Sequence, residues 1–159
     1  MTSGNLFKLL VCEDIMAGKF MVAVGGVIEN SSGQILVMWR SEENDFSGGV
    51  WEYPMGRLEQ GEDCATGLLR EVHEETGLDV EIVKVIDVAH LHRGEKVPEN
   101  EVIGVLFGCK YLGEKEVVIS SEHTKYEWVD VSEAIERMPI EQMKEVIKKF
   151  VVEKEKLVK

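Results

Sequence analysis

The chain of 159 residues carries 30 Asp and Glu against 18 Lys and Arg, a formal net charge of -12. That balance argues against a protein that grips a nucleic-acid backbone, which needs a basic face. A phosphorylated small molecule stays open, because a bound divalent cation reverses the local sign.

Read in chain order, residues 1–18 are mixed, with a first strand expected around Phe7–Cys12. FMVAVGGVIE and QILVMWR flank the polar break NSSG (Asn30–Gly33), which predicts a β-hairpin. SEENDFSGGVW (Ser41–Trp51) is a glycine-bearing loop, followed by WEYP and the loop GRLEQGE. The run from about Asp63 to Glu75 has helical character, and Gly77 stands where a helix terminator is expected. LDVEIVKVIDVAHLHR and VIGVLFGCKYLG read as strands on either side of the loop RGEKVPENE. KEVVISSEHTKYEWVDV predicts a short strand, a polar loop and another strand. The remainder is helical, broken at Pro139, with an apolar face at Met143, Val146, Ile147, Phe150 and Val151. Strands, a helix, more strands and a terminal helix imply an α/β fold, a mixed sheet covered by helices in one domain over 1–159.

Cys12, Cys64 and Cys109 form no CxxC pair and no zinc spacing, so reduced thiols are expected. No signal-peptide pattern and no apolar run of membrane-spanning length stands out. The expectation is a cytoplasmic protein without a membrane partner.

The predicted helix after Asp63 poses an electrostatic problem. Glu71, Glu74 and Glu75 fall at i, i+3 and i+4, within one narrow sector, where like charges repel. Ala65, Leu68, Leu69 and Val72 occupy the adjoining sector and are expected to form the buried stripe. A solvated acidic face paired with Arg70 is the plain alternative. The glycines Gly56 and Gly61, and Glu62 ahead of the helix, favour a site for a hard divalent cation instead. Mg²⁺ and Mn²⁺ take a few carboxylates and leave positions for water and phosphate oxygens. Gly67 costs a helix about 1 kcal/mol relative to alanine; room for metal or substrate, or close packing, would compensate.

The spacing Gly56, Glu62, Arg70-Glu71-Val72, Glu74-Glu75, Gly77-Leu78 resembles the Nudix box at every defining position. WEYP before it and YEWVDVSEA after it are similar to the family's flanking strands, so the resemblance spans roughly residues 20–135. It implies an α/β/α sandwich and a hydrolase of nucleoside diphosphate derivatives that uses Mg²⁺ or Mn²⁺. It further implies Glu71, Glu74 and Glu75 as metal ligands, the Gly56 carbonyl as a further contact, and Arg70 as the residue that orients Glu71. Glu62 would support the loop–helix geometry. Glu71 is the candidate base within the box; a later loop offers Glu122, favoured over Glu127, with His123 beside it. Arg40 and Arg57 are candidates for a substrate phosphate, with a surface ion pair as the rival for Arg40.

Substrate signals lie outside the box. Glu95 stands where one dinucleotide-hydrolase branch has tyrosine, and Arg93 and Gly94 stand where ADP-ribose hydrolases often have proline. WEYPMGRLEQGE looks most like nucleoside triphosphate pyrophosphohydrolases of the 8-oxo-dGTP type. Met55 departs from their second glycine, where its side chain could narrow the loop or pack on a base. Trp39, Phe46, Trp51 and Tyr53 are stacking candidates, with core packing as the rival for both tryptophans. Other substrates carried are ADP-ribose, nucleotide sugars and dinucleotides. A non-catalytic nucleotide sensor is the alternative class, and a homodimer is left open.

Overall fold

The computed structural model describes residues 20–44 and 47–157, the residues from 153 onward by backbone alone. The expected Phe7–Cys12 strand and Phe46 lie outside the described residues. Seven strands and three α-helices follow in order: β1 (Met21–Asn30), β2 (Ile35–Arg40), β3 (Trp51–Glu52), β4 (Met55–Arg57), α1 (Cys64–Thr76), β5 (Glu81–His92), β6 (Glu101–Tyr111), β7 (His123–Val129), α2 (Val131–Arg137) and α3 (Glu141–Leu157).

The sheet runs β3-β2-β1-β6-β5, with β4 also paired to β1 and β7 to β2. Only β1 and β6 pair in parallel, so the sheet is mixed. Side chains of β1 alternate between two cores, as the strand period requires. Val24 and Ile28 join Leu68 and Val72 of α1 on one face. Val27 joins Ala134 of α2 and Val146, Ile147 and Phe150 of α3 on the other. This is the expected three-layer arrangement, helix, sheet, helix.

Three local expectations need correction. The β1–β2 hairpin is confined to its closing end, at Glu29 opposite Ile35, where the Asn30 side chain accepts from the Ser32 and Gln34 amides. Beyond it β1 turns to β4, and β2 pairs along its length with β7. The short strand expected in KEVVIS does not form. That segment runs beside the end of α1, where the Val118 and Ser120 amides donate to the Thr76 and Glu75 carbonyls at 2.9 and 3.1 Å. It satisfies carbonyls that a helix end leaves unpaired. Finally, Ala65 and Leu69 face outward, and the buried face of α1 is Gly67, Leu68, Val72, Glu75 and Thr76.

Candidate metal and catalytic site

The site forms where β4 meets α1. Asp63 caps the helix by accepting from the Ala65 and Thr66 amides, both at 3.0 Å. Gly77 ends it in the left-handed region at φ 68°, its amide donating to the His73 carbonyl at 2.8 Å. Between those caps the acidic sector rolls from the core to solvent. Glu75 is 5% exposed and accepts from the Met55 amide at 3.2 Å, whereas the Glu74 side chain is more than half exposed. Glu71 lies between them, pressed against the β4 backbone: a Cβ on Gly56 would stand 2.0 Å from its carboxyl carbon. A side chain there would displace the Glu71 carboxylate.

Arg70 answers much of the repulsion. Its Nε and Nη2 donate to the two oxygens of Glu62 at 3.0 and 2.9 Å, a bidentate pair. Its Nη1 donates to Glu71 at 2.9 Å and to Glu74 at 3.1 Å, and Nη2 reaches the Arg57 carbonyl at 3.1 Å. The hydrogen bond to Glu62 above all keeps Arg70 protonated, and the same bond holds Glu62 below the usual carboxylate range. Glu62 therefore ties the loop to the helix. Gly67 serves the same packing: a Cβ there would lie 2.5 Å from Leu58 Cδ1 and 2.8 Å from Glu62 Oε2. Close approach of loop and helix, rather than space for metal or substrate, explains the glycine.

A second group borders Glu75. Arg40 donates through Nη1 to Glu52 at 3.1 Å and pairs through Nη2 with Glu122 at 3.2 Å. Glu52 also meets Nε2 of His123, wholly buried, at 3.0 Å. The Glu122 carbonyl accepts from the Ser41 amide and the Asn44 side chain at 2.8 and 2.9 Å, which fastens the β2–β3 loop to the start of β7. Glu127 points elsewhere, 2.9 Å from Arg137 of α2. Arg57 is exposed on β4.

Arg70 does not reach Glu75. Burial first, and then the charges of Glu52, Glu71 and Glu122, push the Glu75 carboxyl up to about 9. Burial also raises Glu71, although Arg70 opposes it. Such a mutually repelling set of oxygen donors around the buried Glu75 fits a hard dication, which removes the penalty on ionising Glu75.

Two stacking candidates find other roles. Tyr53 is 1% exposed and cannot meet a base. Trp51 packs edge-on against Trp39 at 5.4 Å and under Arg137 at 4.5 Å. Met55 turns away from the carboxylates and packs against the α3-side core beside Gly25. Sequence reasoning missed Glu52 and named His123 only as the neighbour of Glu122. The available signal was a carboxylate between Trp51 and Tyr53, in a segment otherwise apolar and aromatic.

Comparison with known proteins agrees with this geometry. Residues 19–151 match the NUDIX domain. Over 117 residues the chain is 37% identical to an octanoyltransferase of Myxococcus xanthus, covering 73% of this chain but 32% of that protein. It is 36% identical to a MutT-like protein of Streptomyces ambofaciens, covering 74% and 68%, respectively. It is 34% identical to an RNA pyrophosphohydrolase of Novosphingobium aromaticivorans, covering 65% and 63%. The chain thus spans about a third of the first relative and about two thirds of the others. The MutT protein structure from Methanosarcina mazei Go1 superposes with a TM-score of 0.73 at 24% identity, covering 87% of this chain and 98% of that one. The mixed sheet and the box-bearing helix define one class of proteins. The chain belongs to that class, the Nudix family.

Proposed function

We propose that this chain is a Mg²⁺- or Mn²⁺-dependent pyrophosphohydrolase that converts a nucleoside triphosphate to the monophosphate and pyrophosphate. One observation carries the reading: the buried Glu75 lies among Glu52, Glu71 and Glu122, whose charges oppose its ionisation, an arrangement suited to a cation. Glu71, Glu74, Glu75 and the Gly56 carbonyl would hold the ion. When bound, it supplies neutralisation of the diphosphate and acidification of a coordinated water.

The chain's own residues do the rest. Arg70 orients Glu71 and Glu74. Glu122 accepts the proton of the attacking water, with Glu71 as the other base the geometry allows. The water oxygen bonds to phosphorus, the bridging P–O bond breaks, and its electron pair leaves with pyrophosphate. Arg40, already engaged by Glu52 and Glu122, is assigned to aiming Glu122 rather than to a phosphate. Arg57, exposed beside the site, is the phosphate contact.

Glu71→Gln and Glu74→Gln should each lower kcat by on the order of a hundredfold or more with the fold intact, the scale of losing one electrostatic contact to the reacting centre. A panel of nucleoside triphosphates, dinucleotides and nucleotide sugars, with products separated by chromatography, tests the substrate. Release of monophosphate and pyrophosphate from triphosphates supports the reading, and cleavage of nucleotide sugars alone contradicts it. Similarity to an RNA pyrophosphohydrolase favours a second reading, the 5′-triphosphate of an RNA. The net charge of -12 weighs against it.

A further inference from the structure

The far end of the β5–β6 pair carries a second group of donors unlike the first. His90 and His92 stand two apart on β5, so both imidazoles project from one face of the strand. Glu101, at the start of β6, is the cross-strand partner of His92 and therefore shares that face. The rings of His90 and His92 lie 4.9 Å apart between centroids, tilted by 54°. One donor atom from each of the three residues can be chosen so that all lie within 4.8 Å of one another. His90 Nε2 and Glu101 Oε1 are 3.6 Å apart, too far for a hydrogen bond.

That distance has a physical meaning. Two ligands roughly 2.0–2.2 Å from a tetrahedral Zn²⁺ stand roughly 3.3–3.6 Å from each other. His90 and Glu101 are already at that separation. His92, partly exposed, has a donor atom within 4.8 Å of both, close enough for a change of rotamer to bring it in. Two imidazoles and a carboxylate also differ in kind from the all-oxygen set at Glu71, Glu74 and Glu75. Imidazole suits Zn²⁺, Ni²⁺ and Cu²⁺, whereas carboxylate, carbonyl and water suit Mg²⁺ and Mn²⁺. Through the sheet, Gly56 pairs with Val24, Val24 with Val105 and Val105 with Val88. Three strand spacings of about 4.8 Å place the histidine end roughly 14 Å from Gly56 across the sheet. The two sets cannot share an ion.

We propose that His90, His92 and Glu101 form a separate site for a Zn²⁺-class transition-metal ion, which bridges β5 and β6 and staples the hairpin whose loop is 93–100. Three protein ligands leave a fourth position to water, and the partly exposed setting gives a site that exchanges with free metal. The inference does not depend on the proposed hydrolysis.

The test uses the full chain with Zn²⁺ alone as probe, in excess Mg²⁺ so that the carboxylate site is filled. Equilibrium dialysis counts bound Zn²⁺ in the wild type, in His90→Ala/His92→Ala and in Glu71→Gln/Glu74→Gln, while the visible spectrum of added Co²⁺ reports the ligand geometry. One Zn²⁺ equivalent should be present in the wild type and in the glutamate variant and absent from the histidine variant. Zn²⁺ should raise the melting temperature of the wild type and not that of the histidine variant. Equal Zn²⁺ in the wild type and the histidine variant overturns the proposal and leaves a His90–Glu101 ion pair only. Loss of Zn²⁺ in the glutamate variant with retention in the histidine variant overturns it too, by placing the ion at the other site. Far-UV circular dichroism of the histidine variant guards against reading an unfolded chain as a lost site.

Discussion

At the scale of single residues, Glu75 states the chemistry most sharply. A carboxylate 5% exposed and set among Glu52, Glu71 and Glu122 is pushed up to about 9 in the metal-free protein. The folded-state value is raised above the ordinary 4.5. Its contribution to stability is therefore full below about 4.5 and is lost as pH rises toward about 9. Metal-free wild type should melt at progressively lower temperature across that window. Glu75→Gln should flatten the slope, and Mg²⁺ should restore wild-type stability at high pH because it favours the ionised carboxylate. Melting curves at a series of pH values, with chelator and with Mg²⁺, check the sign. A wild-type melting temperature that rises with pH in chelator would be incompatible with this environment. Gly56 is the complementary residue. Gly56→Ala forces a methyl group into the Glu71 carboxylate, so activity should fall by on the order of a hundredfold, as for loss of Glu71 itself. Steady-state kinetics beside a melting curve separates that displacement from unfolding.

At the scale of elements, α1 and the loop before it act as one piece, joined by the Arg70–Glu62 pair and by the close approach at Gly67. Gly67→Ala gains about 1 kcal/mol in helix propensity but drives a methyl group into Leu58 and Glu62. Overpacking costs about 1–3 kcal/mol, so the variant should be neutral to destabilised, and a clear rise in melting temperature would show that the loop yields freely. Asp63→Ala should cost about 1 kcal/mol by removing the carboxylate oxygen that accepts from the Ala65 and Thr66 amides, measurable by urea denaturation. The helix, its caps and its ligand spacing were legible because each is a local pattern. Contacts made across the fold were not. Alternation around Asn30–Gly33 indicated a hairpin, yet it could not show that β2 spends its length on β7. Val117, Val118 and Ile119 have strand-like side chains, but the Val118 and Ser120 amides are taken by carbonyls at the end of α1. Met55 looked like a base contact because it replaces a family glycine, and the alternation of β4 carries it to the opposite face. Glu52 was hidden for the same reason: its partners, Arg40 and His123, come from two other strands.

At the scale of the whole molecule, four separate segments converge on one region of negative charge. β4 brings Gly56, α1 brings its glutamates, and the end of β2 and the turn before β7 bring Arg40 and Glu122 together. Arg40→Ala should release Glu122 and leave Glu52 to His123 alone. We expect kcat to fall about tenfold or more with KM little changed and the pH profile displaced, the pattern of a misaimed base rather than a lost phosphate contact. A large rise in KM with kcat unchanged would return Arg40 to the substrate. Among the described residues no helix is long and apolar enough to cross a membrane.

The central claim is that the glutamates of α1 gather around a dication. Anomalous scattering from crystals soaked in Mn²⁺ and a non-hydrolysable nucleoside triphosphate tests it most directly. The account predicts a manganese peak bounded by Glu71, Glu74, Glu75 and the Gly56 carbonyl, against the triphosphate. Side chains turned into solvent, with no peak among them, would contradict it.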